Sequence, residues 1–345
     1  MGYDIMARAL ANPAHLQFLA LGEWSRLLRH AQRNQLLARL ATLALGQESL
    51  GALPQLPRLQ LEQARQAATA QRQQRQRDLQ ALMQLLEPAG FVVVALNGTA
   101  HWLHEIAPTN DQQCAGLDIW VDSGHWERLA ATLRSGGWLP ADTGPADQAG
   151  RVRWNAAPGA QGPVRRAAVL TVHSQMLPAL PCAQAGLALQ LQARLAVPEI
   201  PGLHVPAPSD LVLCAVAQVF HTDGGAQALR DLSDVDVLLR RFAPQPAFWS
   251  DLVQRAAELE LSRALYYGLR HSVRLFATPV PDSARRAMRA VAPPLRMNRL
   301  MDGLWSRVLC TPHASGRQSI RPFCRDLLRL RARWLRVVAA CTVRQ

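Results

Sequence analysis

The chain contains no lysine. Its 38 strongly basic residues are all arginine, and they outnumber 25 acidic residues for a formal charge of +13. That absence excludes Schiff-base chemistry and a P-loop lysine on a triphosphate. Exclusive use of arginine, with abundant alanine and leucine, reads as the mark of a GC-rich genome. Cysteine is sparse and dispersed. Cys114, Cys182, Cys214, Cys310, Cys324 and Cys341 include no C-x-x-C pair, so a structural zinc site is not expected. They read as reduced, mostly buried thiols of a cytoplasmic protein. No stretch approaches ~18 consecutive apolar residues, the length a spanning helix needs. No charged segment followed by an apolar run stands at the start, so no signal peptide is expected. Aromatic residues are 6% of the chain and are not interleaved with the arginines, so no specific nucleic-acid partner is predicted.

What the chain does have is length and apolar mass. With 345 residues, 49% of them apolar, it can build a substantial core and more than one domain. The positive balance has two readings: a footprint for an anionic partner, or arginines scattered over solvated helix faces. The lack of a long basic block before the tail favours the second.

Residues 5–47 read as helices, with Leu21, Trp24, Leu27, Leu28 and Ala31 at helical spacing. A long helix is expected over Leu59 to Leu86, its polar middle from Gln71 to Arg77 in solvent. The period then changes. Phe91–Leu96 is a continuous apolar run suited to a strand covered on both faces. A short helix is expected from Thr99 to Glu105, a strand over Leu117–Val121 and a helix between Gly124 and Gly136. Trp138 to Gly162 reads as a long loop with one candidate strand, Arg151–Asn155; Ala167–His173 reads as a strand. Met176 to Pro208, punctuated by prolines, is expected to be mostly irregular. Helices return over Asp210–Phe220, Ala226–Phe242, Phe248–Leu259 and Ser262–Phe276.

Four groups of residues could carry chemistry. Asn97-Gly98-Thr99 follows the first strand. Glycine at a strand-to-helix turn lets backbone N–H groups approach phosphate, and Thr99 adds a hydroxyl; a plain turn is the other reading. Gly116-Leu117-Asp118 places one carboxylate on a strand. Two acids spaced two apart would share a face and hold magnesium, but Asp118 is alone and Asp122 lies too far along. Thr171 and His173 share a face of the third strand, where His173 either bonds a phosphate or is satisfied by a neighbour. Finally, His221 with Asp231, Asp234 and Asp236 reads as a structural ion-pair network, balanced by Arg240 and Arg241, rather than as a metal site. The tail, Phe323–Ala340, is a basic amphipathic helix that either packs on its own domain or lies on an anionic membrane surface.

In this order the segments resemble a bacterial family of uncharacterised nucleotidyltransferases. The likeness runs from Trp24-Ser-Arg-Leu-Leu-Arg-His-Ala through Val94-Ala95-Leu96-Asn97-Gly98 and Leu117-Asp118-Ile119-Trp120-Val121. It continues through Leu170-Thr-Val-His173, Asp210–His221, Leu229–Leu239 and Phe248–Pro279. The resemblance implies an α+β fold: a small mixed sheet flanked by N-terminal helices and followed by a helical C-terminal domain. Its divisions would be a helical region (1–87), a nucleotidyltransferase-like core (88–208) and a C-terminal helical domain (209–345). It also implies Mg2+-dependent transfer of NMP from an NTP to an unknown acceptor. Asp118 would be the catalytic and metal-holding acid, with Asn97, Gly98, Thr99 and His173 around the nucleotide. The chain departs from the family where it counts. Asn97 stands in place of a lysine, Gln112 in place of an arginine, Gly116 in place of the first acid, and Thr171 in place of a further acid. The expectation is therefore an impaired or inactive transferase. The alternatives are a pseudoenzyme that binds a nucleotide or a partner, or an assembly factor at a membrane surface. Glu105 or Asp111 is a candidate replacement for the lost acid.

Overall fold

A computed structural model of the chain describes residues 2–46, 53–104, 116–141, 151–157, 168–174, 176, 194–221 and 228–310. Four helices precede the sheet: α1 (Gly2–Ala11), α2 (Leu21–Arg33), α3 (Leu37–Leu45) and α4 (Gln55–Leu86). The apolar stripe of α2 is buried as its spacing requires, at Trp24, Leu27, Leu28 and Ala31. Both ends of α4 are anchored, by Leu61 and Ala64 and by Leu79, Leu82 and Leu86. Residues 65–73 between them lie largely in solvent. Arg75 departs from the expected solvated middle, since it is buried, as is Asp78 just beyond it. Asp78 accepts a hydrogen bond from Gln74 Nε2 at 2.8 Å, which makes the burial of its carboxylate tolerable.

Among the described residues the sheet has seven strands. They are β1 (Val93–Ala95), β2 (Gly116–Trp120), β3 (Trp138–Pro140), β4 (Arg151–Ala156), β5 (Val169–His173), β6 (Arg194–Ala196) and β7 (Leu203–Pro206), in the order β3-β4-β5-β2-β1-β7-β6. The β2–β5 and β1–β7 pairs are parallel and the remainder antiparallel, so the sheet is mixed. Two expectations are corrected here. The region after Trp138 is not simply a loop, because β3 pairs with β4. The stretch before Pro208 contains the β6–β7 hairpin. In both cases the ladder bonds come from a partner strand, and local proline and glycine content does not announce that partner. Gly202, at φ +75°, turns the chain into β7 in a conformation that favours glycine.

Short helices connect these strands: α5 (Asn97–Leu103) follows β1, and α6 (Trp126–Ser135) follows β2. The C-terminal helices are α7 (Pro208–His221), α8 (Ala228–Phe242), α9 (Phe248–Glu258), α10 (Ser262–Phe276), α11 (Asp282–Arg289) and α12 (Leu295–Cys310). α7 packs on α8, α9 and α10, while α1 returns from the N-terminus to pack on α10 and α12.

One apolar cluster runs through the described residues. It joins Leu117, Ile119, Leu170 and Val172 from one face of the sheet to Leu79, Leu82 and Leu86 of α4 and Leu129 and Leu133 of α6. It extends to Leu232 and Leu238 of α8 and Leu265 of α10. The opposite sheet face carries a small separate cluster, Val94, Leu96, Trp120 and Met176. Strand alternation explains the division, because neighbours along a strand point to opposite faces. The chemistry lies on that second face.

Candidate functional site

β1 and β2 run antiparallel, with Val94 opposite Trp120 and Ala95 opposite Ile119. The pairing returns the chain leaving β1 to the middle of β2, where Leu96 N–H donates to the Asp118 carbonyl at 2.9 Å. Asn97 follows at φ +47°, a left-handed conformation that asparagine tolerates better than most side chains. Gly98 and Thr99 form the first turn of α5. The Asp118 N–H donates to Thr99 Oγ1 at 3.0 Å. The structure therefore brings Asn97, Gly98 and Thr99 to Asp118. Thr99 is 2% exposed, so its hydroxyl braces β2 from within. His104, at the end of α5, donates from Nε2 to the Pro206 carbonyl at 3.0 Å and ties the helix to β7.

β5 lies on the other side of β2, with Asp118 paired to Thr171 and Trp120 to His173. His173 Nε2 sits 2.8 Å from Asp118 Oδ1. An ionised carboxylate can only accept, so the imidazole Nε2–H donates. His173 is thus satisfied by a neighbour, and that neighbour is the one acid the sequence singles out. A hydrogen bond involving a charged partner contributes about 1.5–3 kcal/mol, and here both side chains are largely shielded from water.

Among the described residues, the site offers magnesium one carboxylate. The ion demands octahedral oxygen coordination, held by one or two carboxylates plus phosphates. One oxygen of Asp118 is engaged by an imidazole, and position 171 offers a neutral hydroxyl. At position 116 a Cβ would stand 2.3 Å from the Val169 carbonyl oxygen and 2.9 Å from its carbon. Real Cβ atoms do not approach a backbone this closely, so a side chain at position 116 would require β5 to shift from β2. Among the described residues, no group of three or more histidine, cysteine, aspartate or glutamate side chains is placed to hold a metal. Glu105 and Asp111 lie outside the described residues.

The fourth constellation is structural where it can be seen. Asp236 accepts from Arg39 Nη2 at 3.2 Å and Thr278 Oγ1 at 2.6 Å, both buried between α3, α8 and the end of α10, and from the partly exposed Arg240 Nε at 2.8 Å. Arg39 also donates to the Ser233 carbonyl. The side chain of His221 and the basic tail lie outside the described residues. Cys214 is buried, and burial pushes its thiol well above the ordinary range, which makes it a poor nucleophile.

Two residues on the outer sheet face were not singled out from the sequence: Arg151 and Arg153. β4 pairs antiparallel with β5, setting Arg151 opposite His173 and Arg153 opposite Thr171. Trp154 turns inward to the large apolar cluster, so the arginines project outward with Thr171 and His173. The alternation Arg-Val-Arg-Trp-Asn over 151–155 was the available signal. Without the β4–β5 register it does not say what the arginines stand beside.

A mixed sheet in which a Gly-polar turn meets an acid-bearing strand is the core expected of a nucleotidyltransferase. The profile of the family described as uncharacterised nucleotidyltransferase matches residues 21–277, and the chain belongs to that family. Membership carries a nucleotidyltransferase-type function in general terms, with a nucleoside triphosphate as the substrate class. Searches of curated proteins and of solved structures each return no match. Among the described residues, no helix is long and apolar enough to cross a membrane.

Proposed function

We propose that this chain is a nucleotide-binding member of its family that does not perform metal-dependent transfer. The observation that carries this reading is the Asp118–His173 hydrogen bond at 2.8 Å, made beside a position 116 that has no room for a second carboxylate. A two-ion mechanism needs carboxylates that hold the metals and align an attacking hydroxyl with the α-phosphate. Here the lone carboxylate is oriented by an imidazole instead. The turn at Asn97-Gly98 remains beside it, with Gly98 free of a side chain that would block approach of a phosphate.

The test is calorimetric titration of the common ribonucleoside triphosphates into the full-length chain, in EDTA and in magnesium, with a parallel assay for pyrophosphate. The expected outcome is binding whose affinity is the same with and without the metal, and no pyrophosphate. Pyrophosphate release that disappears in Asp118→Ala would overturn the reading and restore an active transferase.

A further inference from the structure

We propose that Arg153 and Arg151 form a metal-independent polyphosphate site on the outer face of the sheet, with Thr171 and His173 as its polar edge. The proposal rests on the nucleotide-binding reading above and assigns the residues that hold the phosphate chain. It comes from the register. Arg153, Thr171 and Asp118 occupy one row across β4, β5 and β2, while Arg151, His173 and Trp120 occupy the next. Adjacent strands lie about 4.8 Å apart, so each arginine stands one strand from the threonine–histidine pair and two from Asp118. The two arginines are two residues apart on one strand, so their guanidinium groups leave the sheet side by side. Both are exposed, and the Arg153 guanidinium has no ion-pair or hydrogen-bond partner among the described residues, while its backbone carbonyl accepts from the Ala141 N–H. The carboxylate in its row, that of Asp118, is directed at His173 and does not neutralise it.

The chemistry of this row suits a phosphate chain rather than a carboxylate-bound metal. Guanidinium groups are planar, permanently charged and matched to phosphate oxygens through paired N–H donors. The Thr171 hydroxyl adds a donor between them and the strand that carries Asp118. The positive charge that a metal would bring to a triphosphate is then supplied by side chains already fixed to the sheet. Nothing in the row reads a base, so the ligand class is the polyphosphate moiety itself.

The test uses the full-length chain in EDTA, titrated with inorganic tripolyphosphate, ATP and adenosine. Tripolyphosphate and ATP are expected to bind and adenosine is not, with affinities that weaken as salt rises. Arg153→Ala is expected to weaken tripolyphosphate binding by about tenfold, the loss expected of one charge-assisted contact. Arg153→Gln, which keeps most of the aliphatic stem on the sheet, should lose as much at an unchanged melting temperature. Arg72→Ala removes an equal charge from the solvated middle of α4 and is expected to change nothing. Equal losses in Arg72→Ala and Arg153→Ala, or no loss in Arg153→Ala, would overturn the arginine site. The two readings fail separately. ATP binding unaffected by Arg153→Ala removes the arginine site and keeps nucleotide binding. Pyrophosphate release in magnesium, with Arg153-dependent binding still present in EDTA, keeps the site and removes the non-catalytic reading.

Discussion

At Asp118 one carboxylate oxygen is held by the His173 imidazole. A carboxylate facing open solvent beside a second acid can hold a cation; one facing an imidazole at 2.8 Å is already engaged. Position 116 reinforces the outcome. Gly116→Asp sets a second acid two residues from Asp118, but its Cβ meets the Val169 carbonyl oxygen at 2.3 Å. The expected result is a loss of about 1–3 kcal/mol from strain between β2 and β5, seen as a lower melting temperature, with no gain in pyrophosphate release. A second residue, far from the sheet, sets a pH dependence. His271 on α10 is 2% exposed, its ring stacked 6.2 Å from Tyr267 and its Nε2 without a hydrogen bond among the described residues. Burial pushes its imidazole down to about 4. An unfolded histidine takes up a proton near 6.5, while the folded one resists until about 4. The stability linked to this residue is therefore complete above 6.5 and is lost as pH falls from 6.5 towards 4, on the order of 3 kcal/mol in all. His271→Phe should flatten that slope, as read by urea melts at about pH 7 and about pH 4.5.

Between elements, the buried pair Arg39–Asp236 ties α3 to α8, and Thr278 and Arg240 complete the hydrogen bonding of the carboxylate. Removing one member leaves the other charge without compensation in the core. Asp236→Ala is expected to cost about 3–5 kcal/mol, measured by chemical denaturation. The pair also marks what a linear reading can reach. Asp236 was legible as part of an ion-pair network with Arg240, because both lie on one helix at i, i+4 spacing. Arg39 was not, because nothing local says that α3 approaches α8. The same limit runs through the sheet. Ser262–Phe276 carries its own helical period and its bounds could be read directly. β6 and β7 are strands only because each has a partner. Asp118 and the Asn97-Gly98 turn could be placed together from a strand-turn-strand order, and Thr171 and His173 could be placed on one face. That His173 reaches Asp118, and that Arg153 stands beside Thr171, follows from the order of β4, β5 and β2, which no local pattern records.

For the whole molecule, the N-terminus helps to close the C-terminal helices. Met6, Ala9 and Leu10 of α1 are buried, and α1 packs against α10 and α12. Deleting residues 1–12 should therefore lower the melting temperature and increase hydrogen exchange in α10 and α12, rather than only in the N-terminal helices. The contact between Gly116 and Val169 has a longer reach. Any side chain introduced at position 116 would have to push β5 away from β2 before it could reach a ligand. The spacing of two neighbouring strands thus limits which side chains this end of β2 can present.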